Sequence, residues 1–319
     1  MSKRHAVLWA VALVSTLVFG YLAVRNAHPD EVWQALKEAQ LWWMVPSFAF
    51  LVVSVTVRAL RWQLLFGRET RPTFGAALAS SLVGLAVNSM LPFRAGEAAR
   101  VYALNRRART SPAEAVATIG LERVLDVFCL LLVLLVTLPW LPSVQWVGAA
   151  AAVALALAVL LGGVAALFAI YGERPFQALD RLLRRLPFGH MDWVEHAASN
   201  FGRGLVGLRD ARVAVTALAL TTFSWVLSAI SFWILTLAFD LGLPPVSGVL
   251  ILTAVGFSVI LPAAPGALGV FEAATVVALD AYDVPASEAL SYAFTLHAMN
   301  LLPYLVAGAI AVRFTRPPS

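Results

Sequence analysis

The chain has 319 residues, 61% hydrophobic and 13% charged, where a soluble domain carries roughly 25% charged residues. That composition excludes a soluble globular protein, because no single core of this size hides so much apolar surface, and apolar runs long enough to cross a bilayer recur along the sequence. The net charge of +5 does not argue for nucleic acid, since the arginines cluster beside apolar segments where topology and anionic lipid account for them, and the single cysteine, Cys129, excludes a disulfide framework or a Cys-rich metal site.

In chain order, "MSKRH" precedes the apolar stretch Ala6 to Val24. It is longer than the usual signal-peptide core of about 7–15 residues and lacks a good cleavage site, so it predicts an uncleaved first span. Lys3 and Arg4 set the N-terminus in the cytoplasm. A mixed external loop follows up to residue 40, and a second span over about Leu41–Val57 returns inward to Arg58, Arg61, Arg68 and Arg71.

Residues 74–93 are apolar, but a single crossing there would put Arg100, Arg106, Arg107 and Arg109 outside, against the positive-inside rule. An even number of crossings is required. The segment therefore reads as a hairpin turning near "LPFRAG", with Pro92 and Gly96 as its breakers. Residues 113–140 then cross outward to "PWLPSVQW", and 144–171 return to an Arg-rich cytoplasmic segment. Its "FQALDRLLRRL" places Phe176, Leu179, Leu182, Leu183 and Leu186 on one face, an amphipathic helix suited to a membrane surface.

Residues 213–239 cross outward again. The stretch 246–279, with Glu272 as its only charge, is too long for one span and too short for two with a turn. Its centre contains Pro262, Pro265, Gly266 and Gly269, so it reads as a second broken hairpin. Residues 289–312 cross inward to Arg313 and Arg316. The expectation is an all-α polytopic membrane protein of six full spans and two re-entrant hairpins, with both termini cytoplasmic. It forms one integral membrane domain: a first half 1–171 with hairpin 74–105, a cytoplasmic amphipathic segment 172–212, and a second half 213–319 with hairpin 246–280.

The two broken segments share a patterned order: Leu-Pro at 91–92 and 261–262, downstream glycines and glutamates, then "AEA" or "SEA" helix starts. One opens to the cytoplasm and the other to the outside, the arrangement of an inverted repeat with a site at the bilayer midplane. Buried ionisable groups in such hairpins mark a substrate or ion path. Arg94, Arg100, Arg123 and Asn88 are the candidates for binding a phosphate head group. Glu97, Glu122, Asp126 and Glu272 are candidates for charge balance or proton relay. Thr118, Glu122 and Asp126 are spaced i, i+4, i+8 and share a helix face, with a structural ion pair to the first hairpin as the plainer role. His297, Asn300 and Tyr304 form a polar stripe that lines a cavity or packs by hydrogen bonding. No metal, nucleotide or cofactor motif and no catalytic triad is found.

"NSMLPFRAGEAAR", "ERVLD" and "PAAPGALGVFE" together resemble the lysylphosphatidylglycerol synthase transmembrane-region family, the flippase-like group that includes the membrane part of MprF and the YbhN- and AglD-type proteins. The resemblance covers nearly the whole chain. A departure is Ala267, where the family often has a second glycine. It implies a multi-pass module of the cytoplasmic membrane that moves a phospholipid or lipid-linked head group between leaflets, with lipid-modifying enzymes as possible partners. Because the sequence stops shortly after its last span, the soluble aminoacyl-transferase domain is expected to be absent and the chain not to be an enzyme of that kind. A membrane-embedded enzyme using Glu97, Glu122 or Asp126 as acid or base, and a non-transporting scaffold, are the alternatives.

Overall fold

The computed structural model of the protein describes residues 3–91, 94–108, 110–171, 210–258 and 263–313. Pro92, Pro262 and the amphipathic stretch at 176–186 lie outside the described residues. Every regular element among the described residues is helical: α1 (Lys3–Val24), α2 (Pro29–Glu38), α3 (Met44–Leu64), α4 (Phe74–Met90), α5 (Ala95–Ala108), α6 (Pro112–Thr137), α7 (Gln145–Tyr171), α8 (Ala211–Ala238), α9 (Ser247–Ser258), α10 (Val270–Asp280) and α11 (Ala286–Arg313). Leu41–Leu64, Arg212–Ala238 and Ala286–Arg313 are each long and apolar enough to cross a membrane. Ala10–Val24 with Pro29–Glu38 forms a further candidate bent by 75°. Outward-facing Leu17, Val45, Val159 and Val306 are all well exposed, a surface that suits hydrocarbon rather than water.

The stretch up to residue 40, expected as a loop, contains α2. Pro29 opens it with a preset φ, Asp30 and Glu31 occupy its first turn and Lys37 its last, which complements the helix dipole. Ten residues make a marginal helix alone, so its contacts matter. The Ser287 hydroxyl of α11 donates to Glu31 (2.7 Å) and accepts from the His28 amide (3.0 Å), and Ser291 donates to the Val32 carbonyl (3.0 Å).

The most intimate helix pair is α3 with α8, and small hydroxyl residues make it so. Ser47 and Ser231 each donate to the other's carbonyl at 2.7 Å, and Ser54 donates to the Ser224 carbonyl at 2.8 Å while sharing a hydrogen with Ser228. In hydrocarbon no hydrophobic force drives helix association, so close packing and interhelical hydrogen bonds take its place. Around this pair the main core gathers Leu131 of α6, Leu235 of α8, Ile251 of α9 and Tyr292 and Leu296 of α11. The Tyr292 hydroxyl is satisfied by the Phe232 carbonyl at 2.7 Å.

Helices α4 and α5 form a tight antiparallel hairpin. A Cβ on Gly96 would run into the Gly84 carbonyl and the Asn88 side chain, so both helices approach backbone to backbone. Gly96 therefore acts as a packing contact inside the first turn of α5 rather than as the expected breaker; the turn itself is made by Arg94, whose φ is 55°. At 17 and 14 residues the arms measure about 25 and 21 Å, short of the roughly 30 Å hydrocarbon thickness. In the second hairpin α9 and α10 are shorter still, joined through a 3-10 turn at Pro265–Ala267 with left-handed backbone at Gly266, Ala267 and Gly269.

Helix α11 serves as a ruler for both. Gly308 lies against Leu82 and Ala86 of α4, and Arg107 of α5 donates to the Ala311 carbonyl, so the first hairpin runs along the C-terminal half of α11. Its end, the Ser89 carbonyl, faces Gly266, whose carbonyl is 2.8 Å from His297 Nε2. The second hairpin reaches the same point from the other end of α11. Helix α1 closes the joint: Thr16 accepts a hydrogen bond from the Ala264 amide (2.9 Å), and a Cβ on Gly269 would meet the Thr16 carbonyl and Gly20.

Two substitutions test these contacts by thermal unfolding in detergent. Gly96→Ala, which forces the arms of the first hairpin apart, is expected to destabilise by about 1–3 kcal/mol or more. Ala267→Gly, which relieves a left-handed alanine at φ 59°, is expected to stabilise by about 1 kcal/mol.

Candidate functional site: a buried arginine–carboxylate cluster beside the first hairpin

Arg61 sits near the end of α3 with no exposed surface. An isolated guanidinium there would carry a heavy desolvation penalty, and α6 offsets it with two carboxylates one turn apart. Arg61 Nη2 is 2.6 Å from Glu122 and Nη1 is 2.5 Å from Asp126, with a further bond to Thr221 of α8 at 3.0 Å. Thr118, a turn earlier, accepts from the Trp62 indole at 3.1 Å. Thr118, Glu122 and Asp126 thus share one face of α6, as their spacing requires.

The first hairpin joins through α5. Arg100 is 2.9 Å from the second oxygen of Glu122, and its guanidinium lies 3.6 Å from the centre of the Trp62 ring, a cation–π contact strengthened by burial. Nearer the tip, Glu97 meets Arg123 at 2.9 Å, and Arg123 also reaches Asp126 at 3.8 Å. Arg58 extends the cluster along α3, bonding Ser228 at 3.1 Å and resting over Trp225. Four arginines, at 58, 61, 100 and 123, thereby surround three carboxylates. The inner members are buried, whereas the Arg123 side chain is 45% and that of Glu97 31% exposed. Arg94 is exposed at the tip and close enough to feel both.

The other candidates divide. Asn88 is committed to the hairpin, its oxygen accepting from the Gly96 amide at 2.7 Å. Glu272 lies apart from the arginine cluster and pairs with His297 at 2.6 Å. The Asn300 amide donates to the Leu296 carbonyl of its own helix, and Tyr304 is half-buried below it. Pro265, Gly266 and Gly269 make the turn of the second hairpin. Among the described residues no group of three His, Cys, Asp or Glu is placed to hold a metal ion.

Sequence reasoning treated Arg58 and Arg61 only as topology markers. The missed signal was spacing: Ser47, Ser54, Arg58 and Arg61 fall at i, i+7, i+11 and i+14, one polar face of α3, and Thr221, Ser224, Ser228 and Ser231 form its counterpart on α8.

The family model described as the lysylphosphatidylglycerol synthase TM region matches residues 7–308. Glycosyltransferase AglD of Haloferax volcanii is 24% identical over 355 aligned residues, covering 97% of this chain and 55% of the relative, so the chain spans about half that protein's length.

The cluster's two layers are expected to respond differently to mutation. Arg61→Met strands two buried carboxylates and is expected to destabilise by about 3–5 kcal/mol. Arg123→Met breaks a half-exposed pair, for which about 1 kcal/mol or less is expected. Thermal unfolding of the purified variants in detergent checks the contrast.

Proposed function

We propose that this chain, which belongs to the lysylphosphatidylglycerol synthase TM region family, moves a lipid with an anionic, phosphate-bearing head group between the leaflets of the cell membrane. The reading rests on one observation above the rest: the half-exposed Arg123–Glu97 pair stands beside the buried Arg61, Arg100, Glu122 and Asp126, one turn from the tip of a hairpin whose arms measure about 25 and 21 Å. A phosphodiester carries the same single negative charge as the Glu97 carboxylate and likewise presents two oxygens to a guanidinium, so it can compete for Arg123, with Arg94 as a second contact. Arg61, Arg100, Glu122 and Asp126 keep their mutual bonds and hold the binding residues in place.

In this scheme the chain has six full spans and two re-entrant hairpins of opposite orientation, with both termini in the cytoplasm. The hairpins meet at the middle of α11, and shifting one tip against the other alternates the side from which Arg123 is reached. Glu97 balances Arg123 when no lipid is bound. The relative, named a glycosyltransferase, is nearly twice this length. That name makes chemical modification of a lipid-linked substrate the second reading, with the same carboxylates as acid or base.

Reconstitution into vesicles containing labelled phosphatidylglycerol separates the readings. Leaflet exchange without chemical change is expected. Arg123→Gln and Arg94→Ala are each expected to slow it about tenfold or more, the loss of one charge-assisted hydrogen bond of about 1.5–3 kcal/mol. Recovery of a modified lipid supports the enzyme reading. Wild-type exchange rates in both variants, once folded, overturn the assignment of the binding residues.

A further inference from the structure

The second hairpin carries a polar device with no arginine in its hydrogen bonds. His297 of α11 is 7% exposed and Glu272 of α10 4%. The imidazole Nδ1 lies 2.6 Å from Glu272 Oε1 and Nε2 lies 2.8 Å from the Gly266 carbonyl. Phe271 stacks on the ring at 4.3 Å, and the other Glu272 oxygen accepts from the Gly269 amide at 2.7 Å.

Protons can be counted from this geometry. A carbonyl oxygen only accepts, so Nε2 must donate to Gly266. A neutral imidazole then presents a bare Nδ1 to a carboxyl oxygen at hydrogen-bond distance. With an ionised Glu272 that contact sets two lone pairs against each other. The other tautomer moves the same conflict to the Gly266 carbonyl. Both contacts are satisfied only when the pair holds one proton more than neutral histidine with a carboxylate, either as carboxylic acid and imidazole or as carboxylate and imidazolium.

We propose that Glu272 and His297 form a one-proton binding site that fastens the tip of the second hairpin to α11. The proton is the ligand, and its loss turns two attractive contacts into one attractive and one repulsive contact. An ionised carboxylate is the stronger acceptor and draws the remaining imidazole hydrogen to Nδ1, so the repulsion falls on the carbonyl of Gly266, the residue that faces Ser89 at the end of α4. Proton binding is thereby connected to the joint between the two hairpins.

The surroundings leave the pair as the titrating element at this joint. Helix α1 presents Thr16, with Tyr21 further along, and α9 contains no ionisable side chain. Helix α4 presents Asn88 and Ser89, with Arg94 and Glu97 following on the same hairpin. Asp280 lies at the far end of α10, and α11 adds Glu288 and Tyr292 on one side of His297 and Tyr304 and Arg313 on the other.

The test reads the tip directly and needs no lipid movement. A cysteine is placed at Leu268, half-exposed beside the turn, and labelled with a small maleimide across pH. A Glu38→Cys variant, at an exposed position of α2, corrects for the pH dependence of thiolate reactivity. The corrected rate is expected to be low in acid and to rise with pH, by at most about tenfold per pH unit, the limit for one proton. Glu272→Gln donates an amide hydrogen to Nδ1 and accepts from Gly269, so it is expected to give a low rate that does not change with pH. A flat wild-type profile overturns the proposal, and that measurement stands even if the glutamine variant misfolds. A glutamine variant with the wild-type profile overturns it as well.

Coupling of this proton to lipid movement rests on the translocator reading and has a separate readout. A pH gradient across the vesicles is expected to change wild-type exchange and to leave Glu272→Gln unresponsive, whatever that variant's rate. Gradient-independent wild-type exchange overturns the coupling while leaving the proton site to the labelling profile.

Discussion

A guanidinium with no exposed surface inside an apolar bundle constrains everything around it. Arg61 can stay charged there only if its partners are brought to it, and the partners come from different helices: Glu122 and Asp126 from α6, and Thr221 from α8. Glu122 in turn holds Arg100 of the first hairpin. One charge thus fixes the relative positions of α3, α5, α6 and α8. Hydrophobic packing against lipid would not do this, because a helix turned toward hydrocarbon loses little by rotating or sliding. The ion pairs supply the register that apolar contacts leave undefined, and a shift along the axis would separate buried charges.

The second constraint is backbone polarity. Irregular chain at membrane depth must be enclosed by protein or line a cavity. The helices of both hairpins are drawn against their neighbours through residues without side-chain bulk. Gly84 against Gly96 brings α4 and α5 together, Gly308 brings α4 onto α11, and Gly269 brings the second turn onto Gly20 of α1. The exposed turn carbonyls and amides are then satisfied locally: Ala264 by Thr16, Gly266 by His297 and Gly269 by Glu272. Close approach is the condition for the bond from Ala264 to Thr16, whose side chain is short.

Charge position along the sequence made the first hairpin legible, because a rule about which loops carry arginine acts on the chain before tertiary packing does. The Pro and Gly content marked the second turn, where Pro265, Gly266 and Gly269 stand, for a local reason too. The shared face of Thr118, Glu122 and Asp126 also followed from helix geometry alone. Partner choice did not. Arg61 looked like one more arginine after a span, and only the approach of α6 makes it the centre of the cluster. Glu272, a candidate for charge balance or proton relay, has as its partner a histidine 25 positions along the chain, which its own segment does not reveal. Gly96 was read through its tendency to break helices, whereas its role is set by a backbone 12 residues away. Helix α2 was missed because its stability comes from Ser287 and Ser291, which no window of local sequence contains.

The two hairpins, for all their similar order of Pro, Gly and Glu, are chemically unlike. At the first, Glu97 meets the guanidinium of Arg123, a fixed cation. At the second, Glu272 answers to an imidazole, whose charge is conditional. Had both ends carried arginine, each would be locked and the joint between them would have no means of responding to a proton. Had both carried histidine, neither would present a fixed positive charge to a phosphate. In the proposed scheme the division gives one end a constant electrostatic offer and the other a variable hold, and the contact between Ser89 and Gly266 is where a change at the second is felt by the first.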